Sequence, residues 1–129
     1  MRRTTVRRST LTRLLAAQPR QSNDRSLRDS TGTVRRLRAL AWAGFGIGTM
    51  QRETGIIAST LSDIRQGRFP RVSHHNAMAI RDAFDRLCLT DGGEARAKRD
   101  ARRHGWVPAM AWDDIDNPLD RPVGMSRSA

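Results

Sequence analysis

Apolar residues recur three and four positions apart through most of the chain, and no segment alternates apolar and polar long enough to predict a strand. Val34, Leu37, Leu40 and Ala41 mark one face of a first helix, with Arg35, Arg36 and Arg38 on the other side. Thr31 to Thr33 are its capping candidates, and it should end near Ala43 or Gly44. Gly44, Gly46 and Gly48 then predict a turn and a weak start for a second helix, which Gly55 stops after Thr54. A third helix is expected from about Ile57 to Gln66, with Leu61 and Ile64 inward and Gly67 as its C-terminal stop. Pro70, in the following RFPRV, forbids continuation. Ser73 can cap a fourth helix whose stripe of Ala77, Ile80, Ala83, Phe84, Leu87 and Cys88 is the cleanest amphipathic pattern in the chain. After Asp91, Gly92 and Gly93, the run EARAKRDARRHG reads as a short basic helix ending at Gly105. WVPAMAWDDIDNPLDRP follows as an irregular, acidic, aromatic tail that packs back.

The expected fold is therefore all-α, a small bundle of about five helices. Residues 1–30 stand apart: they are polar and Arg-rich, with only Leu11, Leu14, Leu15 and Ala16 able to form an amphipathic turn or two. Such a stretch buries too little apolar area to offset its ordering entropy, so it reads as a disordered basic arm. The chain of 129 residues divides into this arm, a helical domain over 31–105 and a tail over 106–129.

Charge sharpens that division. The formal net charge is +11, of which residues 1–38 supply +9 and residues 106–129 contribute −2. An excess of this size, gathered at one end, points to a polyanionic partner. All but one of the 24 basic residues are Arg, whose planar fork suits phosphates and guanine edges; GC-rich coding bias explains most of that choice.

Other classes find little support. Cys88 is the only cysteine, so no intrachain disulfide forms and a cytoplasmic location fits. No apolar run approaches the roughly 20 residues that span a bilayer, which argues against a membrane partner. The basic start has some transit-peptide character, but Arg13 interrupts its short apolar stretch and no small-residue cleavage site follows, against a secretory signal. His74, His75, His104 and Cys88 lack a recognised metal-ligand spacing. Asp113, Asp114 and Asp116 all lie in one tail, whereas metal-dependent nucleases draw their carboxylates from separate elements. Trp106 and Trp112 read as anchors pinning the tail to the helices. There is no phosphate-binding Gly-rich loop followed by Lys and no nucleophile signature, so neither an enzyme nor a cofactor is expected. The acidic tail has two candidate roles: a weak competitor for DNA, or a cap on the core.

The most informative stretch is FGIGTMQRETGIIASTLSDIRQG, over residues 45–67. A helix-turn-helix needs two short helices, a small residue where the turn takes a left-handed backbone, and apolar residues locking the pair. Gly55 fits the turn, with Met50 before it and Ile56, Leu61 and Ile64 after it. The second helix of such a pair fits the major groove.

The run TGIIASTLSDIRQGR resembles the turn and recognition helix of helix-turn-helix regulators of actinobacteria and their phages, a set that includes phage immunity repressors. The later HGWVPAMAWDDIDNP resembles a Gly-Trp, Pro, Ala-Trp and acidic tail found in many of them, so the likeness covers residues 33–118. It implies structural roles for Ile56, Leu61 and Ile64, and groove-facing positions at Ile57, Ala58, Ser59, Ser62, Asp63 and Gln66. Ser59 and Ser62 can bond bases or phosphate, Gln66 can read adenine, and Ile57 or Ala58 can touch a thymine methyl. Asp63 can accept from cytosine or hold Arg65 or Gln66 in place, and the second is the better fit beside phosphates. Arg65, Arg68 and Arg71 suit phosphates, and the arm, through Arg25, Arg28 and the residues before them, can follow the backbone or enter a minor groove. Gln51, Ile47 and Thr54 depart from the family pattern, which favours Ala, a phosphate-binding Gln and Leu there; the first helix of the pair is thus the weaker match. The expected function is a phage or prophage transcriptional repressor acting on double-stranded DNA in the cytoplasm of a bacterial or infected host cell, with room for a homodimer. The alternatives are a non-specific architectural nucleic-acid binder and an antitoxin-like or polymerase-binding interaction protein.

Overall fold

The computed structural model describes residues 26–123. Of the expected arm, residues 1–25 lie outside that range. Among the described residues five α-helices follow one another as α1 (Thr31–Trp42), α2 (Ile47–Thr54), α3 (Ala58–Arg65), α4 (His74–Leu87) and α5 (Ala95–His104), with a 3-10 turn at Ala109–Ala111. The fold is all-α, as the periodicity predicts, apart from a small antiparallel ribbon. Its strands β1 (Leu27–Asp29) and β2 (Arg71–Ser73) pair with Arg28 opposite Val72. The ribbon corrects the arm boundary, because residues 27–30 belong to the fold. Three-residue strands are too short to show an alternation.

α1 is the central helix, and α3, α4, α5 and the 3-10 turn all pack on it. The main core joins Val34, Leu37 and Leu40 of α1 to Phe45, Met50, Ile56, Leu61, Ile64, Val72 and Ile80. Burying side chains of this size contributes about 1.5–3 kcal/mol each relative to exposure. A second cluster seats Trp106 against Ala41 and Ala101. Its position follows from how α5 ends: Gly105 is left-handed, its amide donates to Arg102, and the Trp106 amide reaches back to Ala101. This Schellman closure turns Trp106 onto the helix it follows.

The start of α1 differs from expectation. The cap position is Ser30, not Thr31 to Thr33, and Ser30 makes no side-chain cap bond. Its Oγ donates instead to the Phe69 carbonyl (2.7 Å), and its amide to the Pro70 carbonyl (3.1 Å). The exposed first-turn amide of Thr31 finds Asp29 Oδ1 at 2.8 Å. Ser30 thereby ties the loop leaving α3 to the start of α1. At α4 the expected cap is present, with Ser73 Oγ accepting from the Asn76 amide.

Candidate nucleic-acid interface

Gly55 ends α2 with φ +78° and ψ 4°, the left-handed conformation in which a side chain is strained, and the chain re-enters a helix three residues later. Met50, Ile56, Leu61 and Ile64 are all buried beneath this turn. Two polar side chains knit the turn. Thr54 Oγ1 donates to the Met50 carbonyl (2.7 Å) and accepts from the Ile56 amide (3.1 Å). Gln51 Oε1 accepts from the Ala58 amide (2.7 Å), satisfying a first-turn N–H that has no intrahelical partner. Gln51 and Thr54, two of the three departures from the resembling pattern, are thus integral to the turn.

α3 is closed at its other end by Gly67, also left-handed, whose amide donates to Ile64 while the Arg68 amide donates to Asp63. Arg38 Nε of α1 adds a bond to the Arg65 carbonyl (2.8 Å). Both ends of this eight-residue helix are therefore held from outside it.

With Leu61 and Ile64 fully buried, 100° of rotation per residue turns Ser59, Ser62, Asp63 and Gln66 outward. Ser59 is exposed and the other three are half-buried; Ile57 is 62% exposed at the cap and Ala58 half-buried behind it. Six of the nine candidate residues thus line the cap and outer face of α3. The side chains there offer two hydroxyls, one amide and one carboxylate. Asp63 is engaged with Arg68 (Oδ1 to Nη1, 2.9 Å), not with Arg65 or Gln66. Arg68 and Arg71 are exposed at the end of α3 and on β2.

Arg65 lies elsewhere. It is half-buried, and its guanidinium carbon sits 5.1 Å from the Trp106 ring centroid. Burial lowers its pKa, partly countered by nearby Asp100. Arg38 covers the same ring at 5.2 Å, and His104 stacks on it at 4.6 Å. Arg65 and His104 are thus taken up by the fold around Trp106.

The start of α2 has a partner that sequence proximity does not suggest. Glu94, just before α5, accepts from the Gly46 amide (3.1 Å) and the Thr49 hydroxyl (2.6 Å). Those two bonds hold its carboxyl below the usual glutamate value. Gly92 permits this approach, since its amide donates to Ala43 and a side chain there would collide with the Gly44 carbonyl.

The arginines of α1, expected on its solvent side, are half-buried instead. Arg35 lies 3.9 Å from the Trp112 centroid and donates to the carbonyls of Ile115 (3.2 Å), Asn117 (2.7 Å) and Asp120 (3.4 Å). Arg36 forms a two-pronged pair with Asp116 at 2.7 and 3.0 Å, which lowers the Asp116 pKa. Asp113 and Asp114 turn their amides onto the Asp120 carboxylate. Among the described residues no group of three His, Cys, Asp or Glu is placed to hold a metal ion, and no helix is long and apolar enough to cross a membrane.

The chain matches no protein-family model, and comparison with curated proteins and with solved structures found no match.

Proposed function

We propose that the chain is a sequence-specific DNA-binding protein in which α2 and α3 act as a helix-turn-helix and α3 lies in the major groove. The observation that carries this reading is the α3 surface: a short helix fixed at both ends, with a compact outward face of Ser59, Ser62, Asp63 and Gln66 flanked by the exposed Arg68 and Arg71. Small polar side chains reach base edges, and the arginines beyond the C-terminal end of α3 hold phosphates. Arg65 is left out of the phosphate set because Trp106 occupies its guanidinium. The likeness to actinobacterial and phage regulators supports the narrower reading of a phage or prophage repressor. It would act in the cytoplasm by occupying its operator, as a monomer or homodimer, without catalysis or cofactor.

The test is selection of bound sequences from random DNA, followed by competition against random duplex. A specific reader prefers its site by a factor of roughly 10³ to 10⁷. Ser59→Ala with Ser62→Ala should collapse that ratio and leave affinity for random duplex nearly intact. Survival of the ratio in the double variant would overturn the role given to α3.

A further inference from the structure

The described arginines differ in how far the fold uses them. Arg35, Arg36, Arg38 and Arg65 are spent on the tail, on Trp106 and on helix ends. α5 is the opposite case: it buries only Ala97 and Ala101, and Arg96, Arg99, Arg102 and Arg103 are all exposed. Arg96, Arg99 and Arg103 recur at i, i+3 and i+7 and share one face, with Arg102 beside them. Arg96, Arg99 and Arg102 make no hydrogen bond or ion pair with any described residue, and Arg103 has only an exposed contact to Asp100 at 3.2 Å.

Packing does not account for this stripe. Like charges four apart, as at Arg99 and Arg103, destabilise a helix. The favourable effect of the helix dipole reaches only the last turn, so it covers Arg102 and Arg103 but not Arg96 or Arg99. A closely spaced polyanion offsets the repulsion, and Arg pairs well with phosphate oxygens. An anionic bilayer fits less well, because an interfacial helix needs a broad apolar face and the only apolar face of α5 is two alanines already buried in the fold.

The stripe also adjoins the helix pair. Arg96 and Ala97, with Glu94 and Asp100, line a cavity of about 320 Å³ against Gly46, Ile47 and Gly48 around the start of α2 and Arg65 of α3; both carboxylates have partners, Glu94 in Gly46 and Thr49 and Asp100 in Arg103. The whole of α5 is about 15 Å long at 1.5 Å per residue. The structure assigns the outer face of α5 to the phosphate backbone of duplex DNA, as a second binding strip beside the groove that α3 enters; this rests on the reading of α2 and α3 given above.

The test is equilibrium binding of the full chain to random-sequence duplex across a salt series. Replacing Arg96, Arg99 and Arg103 together by Gln should flatten the slope of log affinity against log salt by about 0.9 for each phosphate that is no longer neutralised. Affinity at physiological salt should drop roughly tenfold or more, while preference for the selected site stays unchanged. Arg99→Gln alone, at an exposed side chain without a partner among the described residues, should lower the slope by about 0.9 and guards against a folding artefact. An unchanged slope in both variants overturns the assignment. An unchanged slope together with weakened binding to phosphatidylserine vesicles overturns it in favour of a membrane surface. Because the Ser59 and Ser62 variants are read in the site preference and the α5 variants in the salt slope, failure of the α5 assignment is distinguishable from failure of the reading it rests on.

Discussion

Ser73 and Gln51 both satisfy helix-start amides, yet only one was legible in the sequence. Ser73 binds an amide three residues on, a local geometry that a Ser before an apolar stripe announces. Gln51 reaches seven residues forward, across a turn, and nothing in the pattern fixes that reach. Gln51→Ala, the residue usual in the resembling family, should lower stability by about 1 kcal/mol, the ordinary cost of removing an N-terminal cap. Gln51→Glu keeps the acceptor and should retain most of the stability. Chemical denaturation of the two variants checks this, and equal loss in both would remove the cap from the explanation. Arg65 shows the same limit on the site side. Its place on the helical wheel was readable, but the Trp106 ring that claims it comes from the segment after α5, and no periodicity connects the two.

At the level of elements, the patterns that held were those whose cause is local. Leu61 with Ile64, the α4 stripe, and the glycines that stop α2, α3 and α5 all appear where spacing and left-handed backbone place them. At α2 the expected glycine turn is present and the helix runs from Ile47 to Thr54, but the pattern did not show that Glu94, from beyond α4 in the chain, accepts from the Gly46 amide at its start. Because Thr49 and Gly46 hold the Glu94 pKa below its usual value, this carboxylate contributes stability that is fully present above the ordinary glutamate range. That contribution fades as pH falls through the depressed folded value. Glu94→Gln should therefore be less stable than the parent at neutral pH, with the gap closing in acid below about pH 4. Denaturation midpoints at several pH values measure it; a gap independent of pH would mean that the charge is not what matters.

For the whole molecule, the tail and α1 form one unit. The composition showed a basic start and an acidic end, but it could not show that the arginines of α1 point into the tail. Arg35 is wrapped by three tail carbonyls over Trp112, and Arg36 grips Asp116. Ending the chain after Pro108 removes these interactions and the buried Ala111. The expected loss is roughly 3 kcal/mol, the scale of deleting a packed Trp, and a Tm lower by on the order of 10 °C. Affinity of the folded remainder for random duplex should stay the same, as suits a tail that caps the core. Tighter binding with an unchanged Tm would instead make the tail a competitor for DNA. The ribbon has a consequence of its own. The Ser26 carbonyl accepts from the His74 amide at 2.7 Å, and Leu27 pairs with Ser73, so the described chain begins beside the segment that leaves α3, and seven arginines precede that point in the sequence. On the proposed reading, once α3 is seated, any contact that they make with the duplex forms within the same complex. Their effective concentration is then set by the length of chain from that anchor and not by the amount of protein in solution.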